Sequence, residues 1–179
     1  MRTRIMLFLV AALALMWLSA SASLSATYIH KWTAFPNDGK IKVAASNAYL
    51  AEVAREIGGD RVWVISLTKA DQDARNPKLY KSMVKAVAEA ALLLRVDKDY
   101  DPWIEELVQR ARSGRVVLDV GKVAHPSLDP SYRREVAANI LAALLKVAPK
   151  DESYLRNNFE ALRHKIDSAA RPEQPAINR

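Results

Sequence analysis

IKVAASNAYLAEVAREIGGDRVWVISL, Ile41 to Leu67, is the stretch whose reading decides the fold. Ile41 to Ala45 is a short β-favouring run, and Asn47 stands where a side-chain oxygen can cap a helix continuing through Ile57. Gly58-Gly59 ends that helix, since glycine enters the left-handed backbone region at little steric cost. Arg61 to Leu67 then reads as a second strand. Strand, capped helix and strand in so short a span describe a βα unit, which sets its two strands parallel.

The same alternation continues toward the carboxyl end. Thr68 to Asn76 is polar and loop-like, Pro77 opens a helix to about Ala90, and Leu92 to Val96 makes a third strand. Asp101-Pro102 reads as N-cap and first residue of an amphipathic helix ending at Ser113-Gly114, and Val116 to Val120 is strand four. Asp129-Pro130 repeats the device, ahead of Val136, Ile140, Leu144 and Val147 at helical spacing. Pro149 interrupts, and Leu155, Phe159, Leu162 and Ile166 carry a last helix to Ala170, before Pro172 and Pro175. The predicted class is therefore α/β: a four-stranded parallel sheet flanked by helices, with a long C-terminal helix.

The chain has 179 residues, half of them apolar, enough for one domain with a core. Arg2 and Arg4 precede an uncharged apolar run, Ile5 to Leu18, and a small-residue segment, Ser19 to Ala26, the layout of a signal peptide over residues 1–22 cleaved after Ala22. The competing reading is an uncleaved helix anchored in the inner membrane, since about 20 apolar residues span a bilayer. Residues 23–39 read as a linker with a turn at Pro36 to Gly39, 40–148 as the α/β lobe, 149–171 as the long helix and 172–179 as a disordered tail. A periplasmic location follows. With no cysteine present, disulfides, thiolate ligands and a lipid-modified cysteine are excluded. Removing Arg2 and Arg4 leaves 25 of the 27 basic residues against 20 acidic ones. They are mixed along the chain, with no basic stripe interleaved with aromatics, so nucleic acid is not an expected partner. No glycine-rich phosphate loop, His-Glu-x-x-His helix or nucleophile beside a histidine motif appears, which predicts a protein that is not an enzyme.

Four local patterns occur in one order: AEVAREIGGDRVWVISL (51–67), DPWIEEL (101–107), AHPSLDP (124–130) and DESYLRNNFEALRHKID (151–167). Together they resemble the amino-terminal lobe of the zinc and manganese solute-binding proteins that serve ABC importers, from Ile41 to about Ile166. The resemblance implies a Rossmann-like lobe whose family binds metal between two lobes, usually through two histidines of the first and His, Glu or Asp of the second. The family's Asp-Gln-Asp-Pro-His segment corresponds to DQDARNP, Asp71 to Pro77, where Ala74 replaces the proline and Arg75 the histidine. Its Asp-Pro-His-x-Trp-Leu-Asp-Pro segment keeps His125, Leu128, Asp129 and Pro130 but lacks the tryptophan. Arginine has no lone pair for a metal. At about 4 Å and an effective dielectric of about 20, its charge would repel a divalent ion by roughly 8 kcal/mol.

The candidate metal ligand is thus His125, completed by Asp71 or Asp73 or by another chain, for a divalent transition metal of the zinc or manganese type bound weakly or shared. The plain alternative is a loop histidine without a metal. Arg75 with Asp71 and Asp73 reads either as an internal ion pair standing in for the cation, as an exposed charged loop, or as a bidentate site for an anion. His30 lies in the linker and His164 on the polar side of the last helix, both as solvated residues. Trp32, Trp63 and Trp103 read as packing residues and Tyr80 as surface. The stripe Leu155, Phe159, Leu162, Ile166 requires a cover, by folding back or by association, so a homo-oligomer through the last helix is one expectation. The chain ends at Arg179, just past the linking-type helix, which is read as a single lobe. The functional expectation is an exported single-lobe binding or accessory protein in periplasmic metal handling, partnered by an ABC transporter membrane component or another periplasmic protein. The alternative is a metal-independent adaptor in which Arg75 replaces the bound cation.

Overall fold

The structure, a computed structural model, describes residues 35–36, 38–69, 72–112, 116–120 and 129–170. The signal-peptide, most of the linker and the tail assignments lie outside the described residues. Four strands, β1 (Ile41–Ala45), β2 (Val62–Ser66), β3 (Leu92–Arg95) and β4 (Val116–Asp119), form one parallel sheet in the order β2-β1-β3-β4. Among the described residues five α-helices join and cover them: α1 (Ala48–Gly58), α2 (Lys81–Glu89), α3 (Trp103–Ala111), α4 (Pro130–Val147) and α5 (Glu152–Ala169). Among the described residues no helix is long and apolar enough to cross a membrane.

Strand alternation divides the sheet's side chains between two faces. Val43, Ala45, Val62, Val64, Leu92 and Leu94 join one core with α1, α4 and α5. The intervening Ala44, Ile65 and Leu93 are buried on the other face, where α2 and α3 bury Met83, Val87, Ile104 and Leu107. The stripe on α5 finds its cover within the chain. Leu155, Leu162 and Ile166 are buried against α1 and α4, so the apolar demand that suggested association is met internally.

The Gly58-Gly59-Asp60 turn is keyed to α5. A Cβ on Gly58 would lie 2.3 Å from a Val62 methyl, and one on Gly59 would lie 2.3 Å from the Tyr154 hydroxyl oxygen. Gly59 has φ +49, the left-handed region that favours glycine. That oxygen accepts from the Asp60 N–H at 3.2 Å, and Asn158 Nδ2 donates to the Ile57 carbonyl at 3.1 Å. The end of α1 and the first turns of α5 are thereby one structure.

Three local expectations are corrected. Pro77 does not open a helix: it is buried in an extended Pro77–Tyr80 segment, and α2 starts at Lys81. Asp101 does not cap α3 through its side chain, which turns inward instead. Phe35, read as linker, is only 4% exposed, and its N–H donates to Glu89 Oε2 at 3.2 Å, because an aromatic ring at the sheet's margin gains more from burial than from solvent. By contrast Asn47 caps α1, accepting from the Leu50 N–H at 3.0 Å, and Asp129 caps α4, accepting from the Ser131 N–H at 2.9 Å.

Candidate functional site

In open parallel sheets ligands bind beyond the carboxyl ends of the strands, where the strand order reverses. Here that point lies between β1 and β3. Each of the four βα connections brings a tyrosine to this end: Tyr49 in the first turn of α1, Tyr80 just before α2, Tyr100 before α3 and Tyr132 in the first turn of α4.

Of the sequence-predicted ligands, Asp71 and His125 lie outside the described residues, as do His30 and Trp32. Asp73 and Arg75 are together, in the open. The Arg75 N–H donates to Asp73 Oδ1 at 2.9 Å, and the guanidinium Nε is 3.9 Å from the same oxygen, with side chains 64% and 69% exposed. Such a solvated pair contributes little, so with Asp73 the arginine forms the exposed version of the pair and not the internal one. The guanidinium also lies over the Tyr100 ring, 5.8 Å from its centre. The preceding residue is moored from the other side, by Trp103 Nε1 donating to the Ala74 carbonyl at 2.8 Å. His164 is on the exposed side of α5. Trp63 stands at the sheet edge, its Nε1 donating to Asp38 Oδ2 at 2.7 Å beneath Lys40. Among the described residues no group of three His, Asp or Glu is placed to share a metal ion.

Sequence reasoning missed the polar groups buried under this surface. Asp101 is fully buried. Its Oδ2 accepts from Ser46 Oγ at 2.6 Å and from the Val96 N–H at 2.8 Å, while Oδ1 has no hydrogen-bond partner. Burial pushes this carboxyl above the ordinary range against the pull of those two donors, with Asp97 adding to the rise and Arg95 opposing it. Arg95, also buried, bonds Asp119 and Glu105; burial lowers its pKa, but these two carboxylates outweigh that and raise it. Burial likewise raises the Tyr132 phenol, helped by Tyr49, Glu135, Tyr100 and Asp97. Tyr49, raised by burial first, has a buried hydroxyl close to Arg133 but without a hydrogen bond of full geometry. The only sequence signal for Asp101 was its place before Pro102, where a cap is the commoner use.

A parallel sheet with a long helix packed back on it is consistent with the fold of the α/β solute-binding class. The comparisons with known proteins make that specific. The family model described as ZnuA, zinc-uptake complex component A, periplasmic, matches residues 43–178, and the chain belongs to this zinc/manganese solute-binding family. It is 24% identical over 164 residues to the metal ABC transporter substrate-binding lipoprotein SloC of Streptococcus mutans, covering 79% of this chain and 54% of that protein. To the manganese ABC transporter substrate-binding lipoprotein PsaA of Streptococcus mitis it is 22% identical over 161 residues, covering 78% and 52%. The solved structure of the Mn-bound periplasmic metal binding protein of Candidatus Liberibacter asiaticus has the same fold, with TM-score 0.65 and 17% identity over 73% of this chain and 54% of that one. The chain thus spans about half the length of the curated relatives it matches.

Proposed function

We propose that this protein is a binding or accessory component of periplasmic zinc- or manganese-type metal handling, whose metal site is weak or completed by groups from a partner. Family membership supports the metal setting. One observation supports the weak site: Arg75, which the resemblance sets at the family's first histidine, is solvated and laid on Tyr100, a side chain that cannot ligate a cation. His125, with Asp71 or Asp73, is the remaining ligand candidate. The protein works without catalysis, as a substrate-binding protein does. Its partner is the membrane component of an ABC transporter or another periplasmic protein, and it reaches the periplasm by a cleaved signal peptide over residues 1–22.

Calorimetric titration with zinc and with manganese, on the wild type and on His125→Ala, tests this reading. Weak binding lost in the variant supports it. Identical curves remove His125 from any metal role, and binding as tight as in a full ligand set defeats the proposal of a weak site.

A second reading is favoured by the mooring of the Arg75 loop: a metal-independent adaptor in which the guanidinium stands in for the cation. The Trp103–Ala74 bond and the Tyr100 ring anchor Ala74 and Arg75 of that loop through contacts made by the chain itself. No heat with either metal, together with capture of a transporter component by wild type but not by Arg75→Ala, would select it.

A further inference from the structure

We propose that Asp101, with Ser46 and the Val96 N–H, is a proton-sensitive latch that ties the ends of β1 and β3 together at the switch point and so sets how rigid the surface above it is. Ser46 directly follows β1 and directly precedes the cap of α1; its Oγ donates to Asp101 Oδ2 and its N–H to the Leu94 carbonyl at 2.8 Å. The Ser46 carbonyl accepts from Thr68 Oγ1 at 2.8 Å, which extends the tie to the end of β2. Asp101 itself holds the Val96 N–H and, through its own N–H, the Asp97 carbonyl at 2.9 Å. Two strand ends therefore converge on one carboxyl group that is 0% exposed, and the third is tied to it through Ser46.

That group is compensated on one side only. Two donors serve Oδ2, and Oδ1 is a buried oxygen with no partner, so the ionised form keeps a desolvation cost that opening to water would relieve. The charged groups facing it come from β3 and its exit. Arg95 is committed to Asp119 and Glu105, and Asp97 accepts from the Asp99 and Tyr100 N–H groups, each at 2.8 Å. From the exit of β1 the Ser46 hydroxyl faces it. Burial dominates this balance and raises the carboxyl. Protonation neutralises the buried charge, so the latch is tightest in acid. As the pH rises through the titration of the closed form, local opening becomes easier, and with it motion of the α1 cap and of the Tyr100 turn that supports Arg75.

The test reads the intact protein. Site-resolved carboxyl NMR of the wild type is expected to place the Asp101 titration above the ordinary value of 3.8. Amide exchange at Ser46 and Val96, corrected for intrinsic rates, is expected to lose protection by about tenfold for each unit by which that titration is raised. In Asp101→Asn this pH dependence should vanish, while Ser46→Ala should lower protection at every pH and leave a slope. A wild-type titration at or below 3.8, or protection that stays flat with pH in the wild type, overturns the proposal even if the Asn variant does not fold.

Discussion

Replacing Arg75 separates the two ways in which it opposes a metal. Arg75→Ala removes a positive charge, and Arg75→His removes the charge and supplies a ligand. The interior figure of roughly 8 kcal/mol, for a divalent ion about 4 Å away at a dielectric of about 20, does not apply to a side chain that is 64% exposed. At the dielectric of water the repulsion is about 2 kcal/mol. Arg75→Ala should therefore tighten zinc or manganese binding by about 30-fold, at roughly 1.4 kcal/mol per factor of ten. Arg75→His should exceed that by whatever the added imidazole contributes, and the excess should disappear in Arg75→His combined with His125→Ala. Isothermal titration of the four proteins, at low and at high salt, reads all of this, because a screened Coulomb effect shrinks with ionic strength whereas a ligand bond does not. Identical curves for wild type, Arg75→Ala and Arg75→His would refute the assignment of the Asp71 to Pro77 loop as the inherited metal loop.

Leu155→Ala, at a fully buried position of the α5 stripe, should cost about 2–5 kcal/mol in denaturant unfolding, by lost transfer energy and a residual cavity. Gly59→Ala combines left-handed backbone with a Cβ inside the Tyr154 hydroxyl and should cost about 1–3 kcal/mol. Tyr154→Phe should recover part of it, and strict additivity of the two changes would argue against that contact. For Asp101 the folded-state carboxyl is raised above 3.8, so the native state holds more protons than the unfolded one in the window above that value. Stability in this window falls as pH rises, and Asp101→Asn should flatten that part of a melting-temperature profile.

How much was legible in the sequence follows from what each residue answers to. Asn47, Asp129-Pro130 and Pro149 act on their own backbone, so helix starts and stops could be read directly. The period of Val136, Ile140 and Leu144, all buried, depends only on helix geometry. Pro77 failed as a helix start because proline's fixed φ suits an extended segment as well as a first turn, and packing chose the former. Asp101 failed as a cap because Ser46, 55 residues earlier, and the free Val96 N–H compete for the same oxygen, a long-range contest that local pattern does not encode. That the tyrosines of the four connections share one end was not legible for the same reason, since the parallel topology brings them there; Tyr80 was read singly, as surface.

The scaffold residues and Arg75 sit in different layers of the lobe, and this bears on what the site can do. Gly59 beside Tyr154, the Trp103 indole that donates to the Ala74 carbonyl and the caps Asn47 and Asp129 of α1 and α4 all serve the scaffold that presents loops beyond the sheet. Arg75 is in the presented layer, and it is held by a ring and a backbone bond that require no ion. Any cation must then outbid a guanidinium that water screens, whereas a carboxylate arriving from a partner meets a positioned fork of donors. That difference is why the single substitution Arg75→His, with the rest of the lobe untouched, is the change that most sharply divides a metal-handling role from an adaptor role.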